Sequence, residues 1–115
     1  MKTVRVQYKV KPEYTQTNKY NIAKVMQDLR AMNDDGIKYS TFLFDDQQTF
    51  MHFAMFRNED GQKKLNELES FKKFGAELKA SGPLEPPKPE NLSLVDSCYD
   101  IFYLAKAKCP FDFLY

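Results

Sequence analysis

The stretch IKYSTFLFDDQQTFMHFAMFR, residues 37–57, is the most informative part of the sequence for the fold. Its two apolar segments, residues 37–44 and 49–57, flank the polar turn DDQQ at residues 45–48. Aromatic and β-branched segments on either side of a short polar turn are typical of a β-hairpin. The only histidine of the chain, His52, lies in the second segment, so the direction of its side chain bears on any function.

The register of this hairpin determines which side chains share a face. With an even-length loop, Thr41 lies opposite His52 and Phe42 lies opposite Met51. One face then carries Phe42, Phe44, Met51, Phe53 and Met55, and the other carries Ile37, Tyr39, Thr41, Leu43, Phe50, His52, Ala54 and Phe56. Both faces are largely apolar. We expect the Phe/Met face to pack on helices and His52 to point away from them.

Before the hairpin, the pattern predicts a strand and then a helix. Residues 3–10 alternate, with Val4, Val6, Tyr8 and Val10 on one face and Arg5, Gln7 and Lys9 on the other. An amphipathic helix follows, on which apolar side chains recur at helical spacing: Ile22, Val25, Met26, Leu29 and Met32. Its candidate N-caps are Thr15, Thr17 and Asn18. The sequence NDDG at residues 33–36 ends the helix.

After the hairpin, the pattern predicts a second helix and a fourth strand. The helix has an apolar face of Leu65, Leu68, Phe71, Phe74 and Leu78, with a kink near Glu69 and Ser70. The proline-rich residues 82–91 are interpreted as an extended connector. Residues 92–99 are interpreted as the last strand.

This element order predicts an α+β fold, the ferredoxin-like βαββαβ arrangement. Right-handed crossovers give an antiparallel four-stranded sheet of order 4-1-3-2 with both helices on one face. Because the helices cover only one of two apolar faces, we expect a homodimer in which two sheets pack face to face as a dimeric α/β barrel. Residues 1–100 form the domain, and the apolar tail at residues 101–115 is expected to pack on the dimer.

Composition narrows the class of protein. The chain has 115 residues, enough for one core, and its formal net charge is +1. A charge so close to zero favours neither nucleic acid nor an acidic membrane as a partner. No apolar run approaches a membrane span or a signal peptide, so a cytoplasmic location is expected, with Cys98 and Cys109 as free thiols. No Cys or His cluster has metal-ligand spacing.

Several segments together resemble a known family. VQYKVKPE leads into the first helix, LNELESFKKF lies in the second, and PPKPENLSLV precedes the predicted last strand. Over residues 2–97, this order is similar to the antibiotic-biosynthesis-monooxygenase-like group of dimeric α/β-barrel proteins. The resemblance implies a homodimer with a small-molecule pocket between the sheet and the helices. It also implies activities such as oxygenation of phenols or quinols without metal or flavin, haem degradation, or isomerisation.

The chain departs from the haem-degrading members of that group. Those proteins use a histidine on the second helix and a tryptophan, whereas residues 69–74 here read ESFKKF and the chain has no tryptophan. No cofactor is therefore expected. The third-strand position that often holds tryptophan in the wider group matches Phe56.

The candidate site residues each allow two interpretations. His52 could act as a general base on a phenolic substrate, or it could be a core or interface histidine hydrogen-bonded to Thr41 or to a neighbouring strand. Tyr8 and Tyr39 could bind a ligand carbonyl, or could lie at the sheet rim with wet hydroxyl groups. Arg5 could hold a carboxylate or oxyanion, or could pair with Asp96 or Asp100 across the dimer.

Two functional classes remain open. The first is a cofactor-independent monooxygenase, and the second is a non-catalytic dimeric domain that binds a small ligand or none. RNA-recognition domains share the topology, but strand 3 lacks the Lys/Arg-Gly start of their motif and the chain is not basic.

Overall fold

A computed structural model describes residues 1–102 of the chain. In chain order, its elements are β1 (Lys2–Lys9), α1 (Thr15–Met32), β2 (Ile37–Leu43), β3 (Thr49–Phe56), α2 (Glu59–Glu67), α3 (Glu69–Ser81) and β4 (Glu85–Leu92). A single 3₁₀ turn, Pro12–Tyr14, precedes α1.

The four strands form one antiparallel sheet in the order β2-β3-β1-β4. This confirms the predicted α+β fold class and the ferredoxin-like strand order. The core lies between the sheet and the helices and is formed by Tyr8, Val10, Val25, Phe50, Ala54, Phe56, Leu65, Phe74 and Leu78. The centre of this layer is where the candidate site lies.

The hairpin register is confirmed, but the predicted direction of its faces is wrong. Thr41 pairs with His52 and Phe42 with Met51, as expected. His52, however, is buried towards the helices, whereas Phe42 on the opposite face is 53% exposed. The physical reason is the pairing of β3 with β1. His52 lies opposite Val6, on the apolar face of β1, so it must share the core with that face.

The first helix begins differently from the prediction and ends as predicted. Tyr14 is its N-cap and no side chain caps it, so none of Thr15, Thr17 and Asn18 has the predicted role. Thr15 instead donates its hydroxyl to the carbonyl of Gln47, 2.8 Å away, and Asn18 is fully buried. Asn33 closes the helix in the left-handed conformation, with φ of 52°.

The second helical segment is two helices rather than one kinked helix. Leu68 has extended backbone angles, φ −66° and ψ 130°, and separates α2 from α3. The break therefore lies just before the predicted kink at Glu69. Asn58 caps α2 by accepting a hydrogen bond from the amide of Asp60, 3.0 Å away.

The fourth strand is β4, Glu85–Leu92, so the prediction of a strand at residues 92–99 is wrong. The segment that we interpreted as a proline-rich connector is the strand itself. Within residues 1–102, β4 pairs only with β1, at the edge of the sheet. Proline is tolerated there because one side of an edge strand needs no ladder hydrogen bonds.

Beyond β4, the chain reaches the other side of the sheet. Ile101 and Phe102 are buried, and the ring of Phe102 lies under the cationic groups of Lys38 and Arg57, at 5.6 Å and 5.4 Å. These two apolar residues therefore pack on their own subunit. The rest of the predicted tail, with Cys109, lies outside the described residues. Cys98 is exposed and carries a free thiol.

Candidate functional site

His52 is the centre of a buried polar cluster. Its side chain lies between two tyrosine hydroxyls: Nε2 is 2.7 Å from the Tyr8 oxygen and Nδ1 is 2.5 Å from the Tyr39 oxygen. Thr41 Oγ1 is also near Nδ1, but at 3.4 Å it is the weaker partner. Both ring nitrogens are thus engaged, which fixes the plane of the imidazole.

Strand register brings these three side chains together. Val6 of β1 and Thr41 of β2 lie directly opposite His52 on either side of β3. Tyr8 and Tyr39 are each two residues along from those partners and therefore lie on the same face. Such diagonal neighbours are within reach of long aromatic side chains. The three residues come from three adjacent strands of one sheet.

The helices complete the cluster from above. Asn18 of α1 donates from Nδ2 to the Tyr8 oxygen, 2.9 Å away. Phe74 of α3 lies against the imidazole, with 5.3 Å between ring centroids. The polar chain Asn18–Tyr8–His52–Tyr39, which we call the tyrosine–histidine relay, therefore runs from one helix across three strands.

Proton positions in the relay follow from its connectivity. A neutral imidazole has one donor nitrogen and one acceptor nitrogen. If Nδ1 carries the proton, it donates to Tyr39 and Nε2 accepts from Tyr8; if Nε2 carries it, the roles are reversed. In either tautomer, one tyrosine is an acceptor from the imidazole and keeps its own hydroxyl proton available. Depending on the tautomer, the hydroxyl of Tyr39 or that of Tyr8 can therefore donate a hydrogen bond to an oxygen outside the relay.

Burial sets the protonation of the relay. It lowers the pKa of His52 to about 4, because the interior disfavours the imidazolium cation. Burial also raises the pKa of Tyr8 and of Tyr39 far above the ordinary value, because it disfavours the phenolate. At neutral pH, the relay therefore consists of a neutral imidazole and two intact hydroxyl groups.

A mainly apolar cavity of about 500 Å³ opens beside the relay. This volume is in the range typical of small-molecule sites. Its lining combines the sheet side chains Val6, Tyr8, Tyr39 and His52, the α3 residues Phe71, Phe74, Gly75, Leu78 and Lys79, and the prolines Pro83, Pro86 and Pro87. Tyr8, His52 and Tyr39 of the relay form the polar wall of the cavity, and among the described residues Lys79 is the only charged one in the lining.

Two residues predicted for the site lie elsewhere. Arg5 is on the opposite face of the sheet, where it forms an ion pair with Glu90 at 2.8 Å and also contacts Gln7. A pairing with Asp96 or Asp100 across the dimer stays a prediction. Phe56 is on the same face as His52 but packs against α2 at Gly61 and does not line the cavity.

Asn18 and the prolines of the cavity were not among the predicted site residues. The signal for Asn18 was present, because Asn18, Asn21 and Val25 recur at helical spacing on one face of α1. Asn21 is also buried and donates to Glu77 on α3, 2.8 Å away. Pro86 and Pro87 gave no such signal, since they belong to a segment that we interpreted as a connector.

Residues 1–102 provide no group of three or more His, Cys, Asp or Glu side chains placed to hold a metal ion. In the same part of the chain, no helix combines the length and the apolar character needed to cross a membrane.

Comparison with known proteins gives likeness in structure only. No protein-family model matches the chain, and no curated protein is detectably similar in sequence. A crystal structure described as an antibiotic biosynthesis monooxygenase has a TM-score of 0.70 and 14% identity, covering 84% of this chain and 100% of that chain. Rv0793 from Mycobacterium tuberculosis has a TM-score of 0.71 and 14% identity, covering 85% and 98%.

A third solved structure, a candidate antibiotic biosynthesis monooxygenase from Caulobacter crescentus, has a TM-score of 0.70 and 18% identity, covering 83% of this chain and 90% of that chain. This chain shares the fold of these three solved structures. The resemblance drawn from VQYKVKPE, LNELESFKKF and PPKPENLSLV is thereby confirmed at the level of fold. At these identities, the shared fold leaves the chemistry to be argued from the cavity and the relay.

Proposed function

We propose that the chain is a cofactor-independent monooxygenase acting on phenolic or quinol-type small molecules. One observation carries the proposal: a neutral imidazole, held between two tyrosine hydroxyls, forms the polar wall of an apolar cavity. An apolar pocket with a few convergent polar groups is the usual form of a small-molecule site. The names of the structural neighbours with this fold are consistent with such chemistry.

The relay suits the first step of this chemistry, which is removal of a proton from a phenolic substrate. The substrate hydroxyl donates its proton to Tyr8 or Tyr39, and that tyrosine passes its own proton to His52. The tyrosine hydroxyl that remains protonated stabilises the phenolate by a hydrogen bond. The bound phenolate in turn stabilises the imidazolium, because opposite charges in a buried site raise the pKa of the base.

For a hydroxyarene that is the enol form of a ring ketone, both atoms of dioxygen can be followed through the proposed reaction. The electron-rich ring carbon of its phenolate bonds to dioxygen, and the peroxide formed takes the proton from His52. The O–O bond then breaks as the same carbon loses its remaining hydrogen as a proton. One oxygen atom stays as a carbonyl, and the other leaves as water.

A second candidate is a non-catalytic domain that binds a small ligand. The observation that favours it is the burial of His52, which lowers the pKa of the imidazole to about 4 and makes it a weak base at neutral pH. Under this alternative, the relay only orients an oxygen of the ligand. The two candidates therefore share the cavity and differ in whether dioxygen is consumed.

Dioxygen uptake with 1-naphthol and anthrone as substrates tests the proposal. Wild-type protein should consume dioxygen, and His52→Gln should reduce the rate by about 10²–10⁴-fold, since loss of a general base has effects of that size. Tyr20→Phe is the matched control, because Tyr20 lies exposed on α1, away from the cavity. Circular dichroism would verify the fold of each variant.

The outcomes separate the two candidates. Saturable binding of anthrone without any dioxygen uptake would contradict the oxygenase and leave the ligand-binding domain. Binding of neither compound to folded wild-type protein would contradict both candidates for this class of ligand.

We also propose that the chain acts as a homodimer, joined through the sheet face opposite the helices. Phe42 and Phe44 on that face are 53% and 43% exposed. They are accompanied by the partly buried Met51, Phe53 and Met55. A contiguous apolar surface of this kind is unusual on a monomer and typical of an interaction site.

A further inference from the structure

Gly75 is the one glycine of the chain whose presence the fold does not require. Of the four glycines, Gly82 has a φ of 70°, which favours glycine. A Cβ on Gly61 would be 3.1 Å from Ile37 and 3.2 Å from Phe56, so packing restricts that position. A Cβ on Gly36 would be 3.1 Å from the carboxylate of Asp34.

The surroundings of Gly75 impose no such restriction. It lies in the middle of α3, and its φ is not positive. A Cβ at this position would meet no atom within 4 Å. Alanine favours an α-helix and glycine opposes it, because glycine loses more backbone freedom on folding. Neither the backbone nor the packing of the described residues accounts for glycine here.

The cavity does account for it. Gly75 lines the cavity, and so do Phe71 and Lys79, one helical turn away on either side. The preceding residue, Phe74, lies against the imidazole of His52, with ring centroids 5.3 Å apart. Gly75 is exposed, so the missing side chain leaves open space at the mouth of the cavity, next to the residue that contacts the relay.

We infer that Gly75 is a specificity-determining residue, which admits ligands larger than a single ring. This inference rests on the proposed function, because it requires that the cavity bind a hydroxyarene. The hydroxyl of the ligand is bound by the relay, and its further rings occupy the space over the backbone of residue 75. A side chain at this position fills that space and leaves room only for a small ligand.

Binding of phenol, 1-naphthol and anthrone, measured by titration calorimetry in the absence of dioxygen so that no turnover occurs, tests the inference. Gly75→Leu should weaken the binding of anthrone at least tenfold and that of phenol by less than about twofold. Ala76→Leu is the matched control, because Ala76 is the next residue of α3, is exposed and does not line the cavity. It should bind all three compounds as the wild type does.

Gly75→Ala tests the structural part of the inference without a bulky side chain. Its thermal midpoint should rise by roughly 2–6 °C, since alanine stabilises a helix interior that has room for it. A lower midpoint would show that packing requires the glycine and would overturn the inference.

The binding results distinguish failure of this inference from failure of the proposed function. If Gly75→Leu binds anthrone as tightly as the wild type, or loses phenol and anthrone equally, the size-selecting role is overturned and the proposed function stands. If folded wild-type protein binds none of the three compounds, the proposed function fails and this inference fails with it.

Discussion

At the scale of single residues, His52 ties the stability of the protein to pH. Its pKa is about 4 in the folded chain, against an ordinary value of 6.5. Between these values, the unfolded chain binds the proton and the folded chain does not, so acid favours unfolding. The contribution is fully present above pH 6.5, decreases as the pH falls below 6.5, and is lost by about pH 4.

We therefore expect the free energy of unfolding to fall by about 3 kcal/mol more for the wild type than for His52→Gln between pH 7.5 and pH 4. Tyr8 and Tyr39 stay protonated throughout this range, so they do not contribute to the difference. Urea unfolding at the two pH values measures it. Equal decreases for the two proteins would contradict a neutral, buried His52.

The residues of the relay were only partly predictable. The even length of the loop gave the pairing of His52 with Thr41, because the length of the loop fixes the register of a hairpin. Predicting the direction of the His52 side chain also required the register of β3 against β1, which places His52 opposite Val6 on the apolar face of β1. Asn18 was missed because its residue type suits an N-cap as well as a buried donor. The spacing of residues in the sequence predicts which residues are neighbours, but it does not decide whether Asn18 is an N-cap or a buried donor.

At the scale of elements, β4 is the strand that the sequence pattern did not predict. Three prolines, Pro86, Pro87 and Pro89, are incompatible with a central strand but compatible with an edge strand. Pairing shifts between Gln7 and Lys9 of β1, opposite the first two prolines. Whether such a segment is an edge strand depends on a distant partner, so local pattern could not predict it. The prolines also reduce the number of amide donors along the edge.

We expect Pro86→Ala and Pro87→Ala each to lower the free energy of unfolding by about 0.4–1 kcal/mol, because alanine gives the unfolded chain more conformational freedom. Lys88→Ala in the same strand is the control and should change it by less than about 0.5 kcal/mol. Chemical denaturation measures all three. A proline variant as stable as the wild type would show that the proline does not restrict the unfolded chain as proposed.

At the scale of the whole molecule, the sheet has one face covered by helices and one that carries exposed aromatic side chains. The sequence correctly predicted that the helices cover only one face of the sheet. It placed the helices on the wrong face, since both faces are apolar enough to fill a core. Among the described residues, the face without helices is the one with Phe42 and Phe44.

We expect light scattering at micromolar concentration to give twice the mass of one chain. Phe42→Lys should weaken dimerisation at least tenfold, because it places a charge in an interface of roughly 1,200 Å² or more. Tyr20→Lys is the control, since Tyr20 is similarly exposed but lies on α1. A wild-type mass of one chain, or unchanged dimerisation of Phe42→Lys, would contradict the proposed interface.

The tyrosine–histidine relay has a consequence for how the molecule opens. Its members belong to α1, β1, β3 and β2, so none of these elements can separate without leaving a buried polar group unpaired. Such a penalty couples the four elements. Their backbone amides should therefore exchange with solvent deuterium together, as a single cooperative unit, while α2, which contributes no side chain to the relay, is free to open by itself.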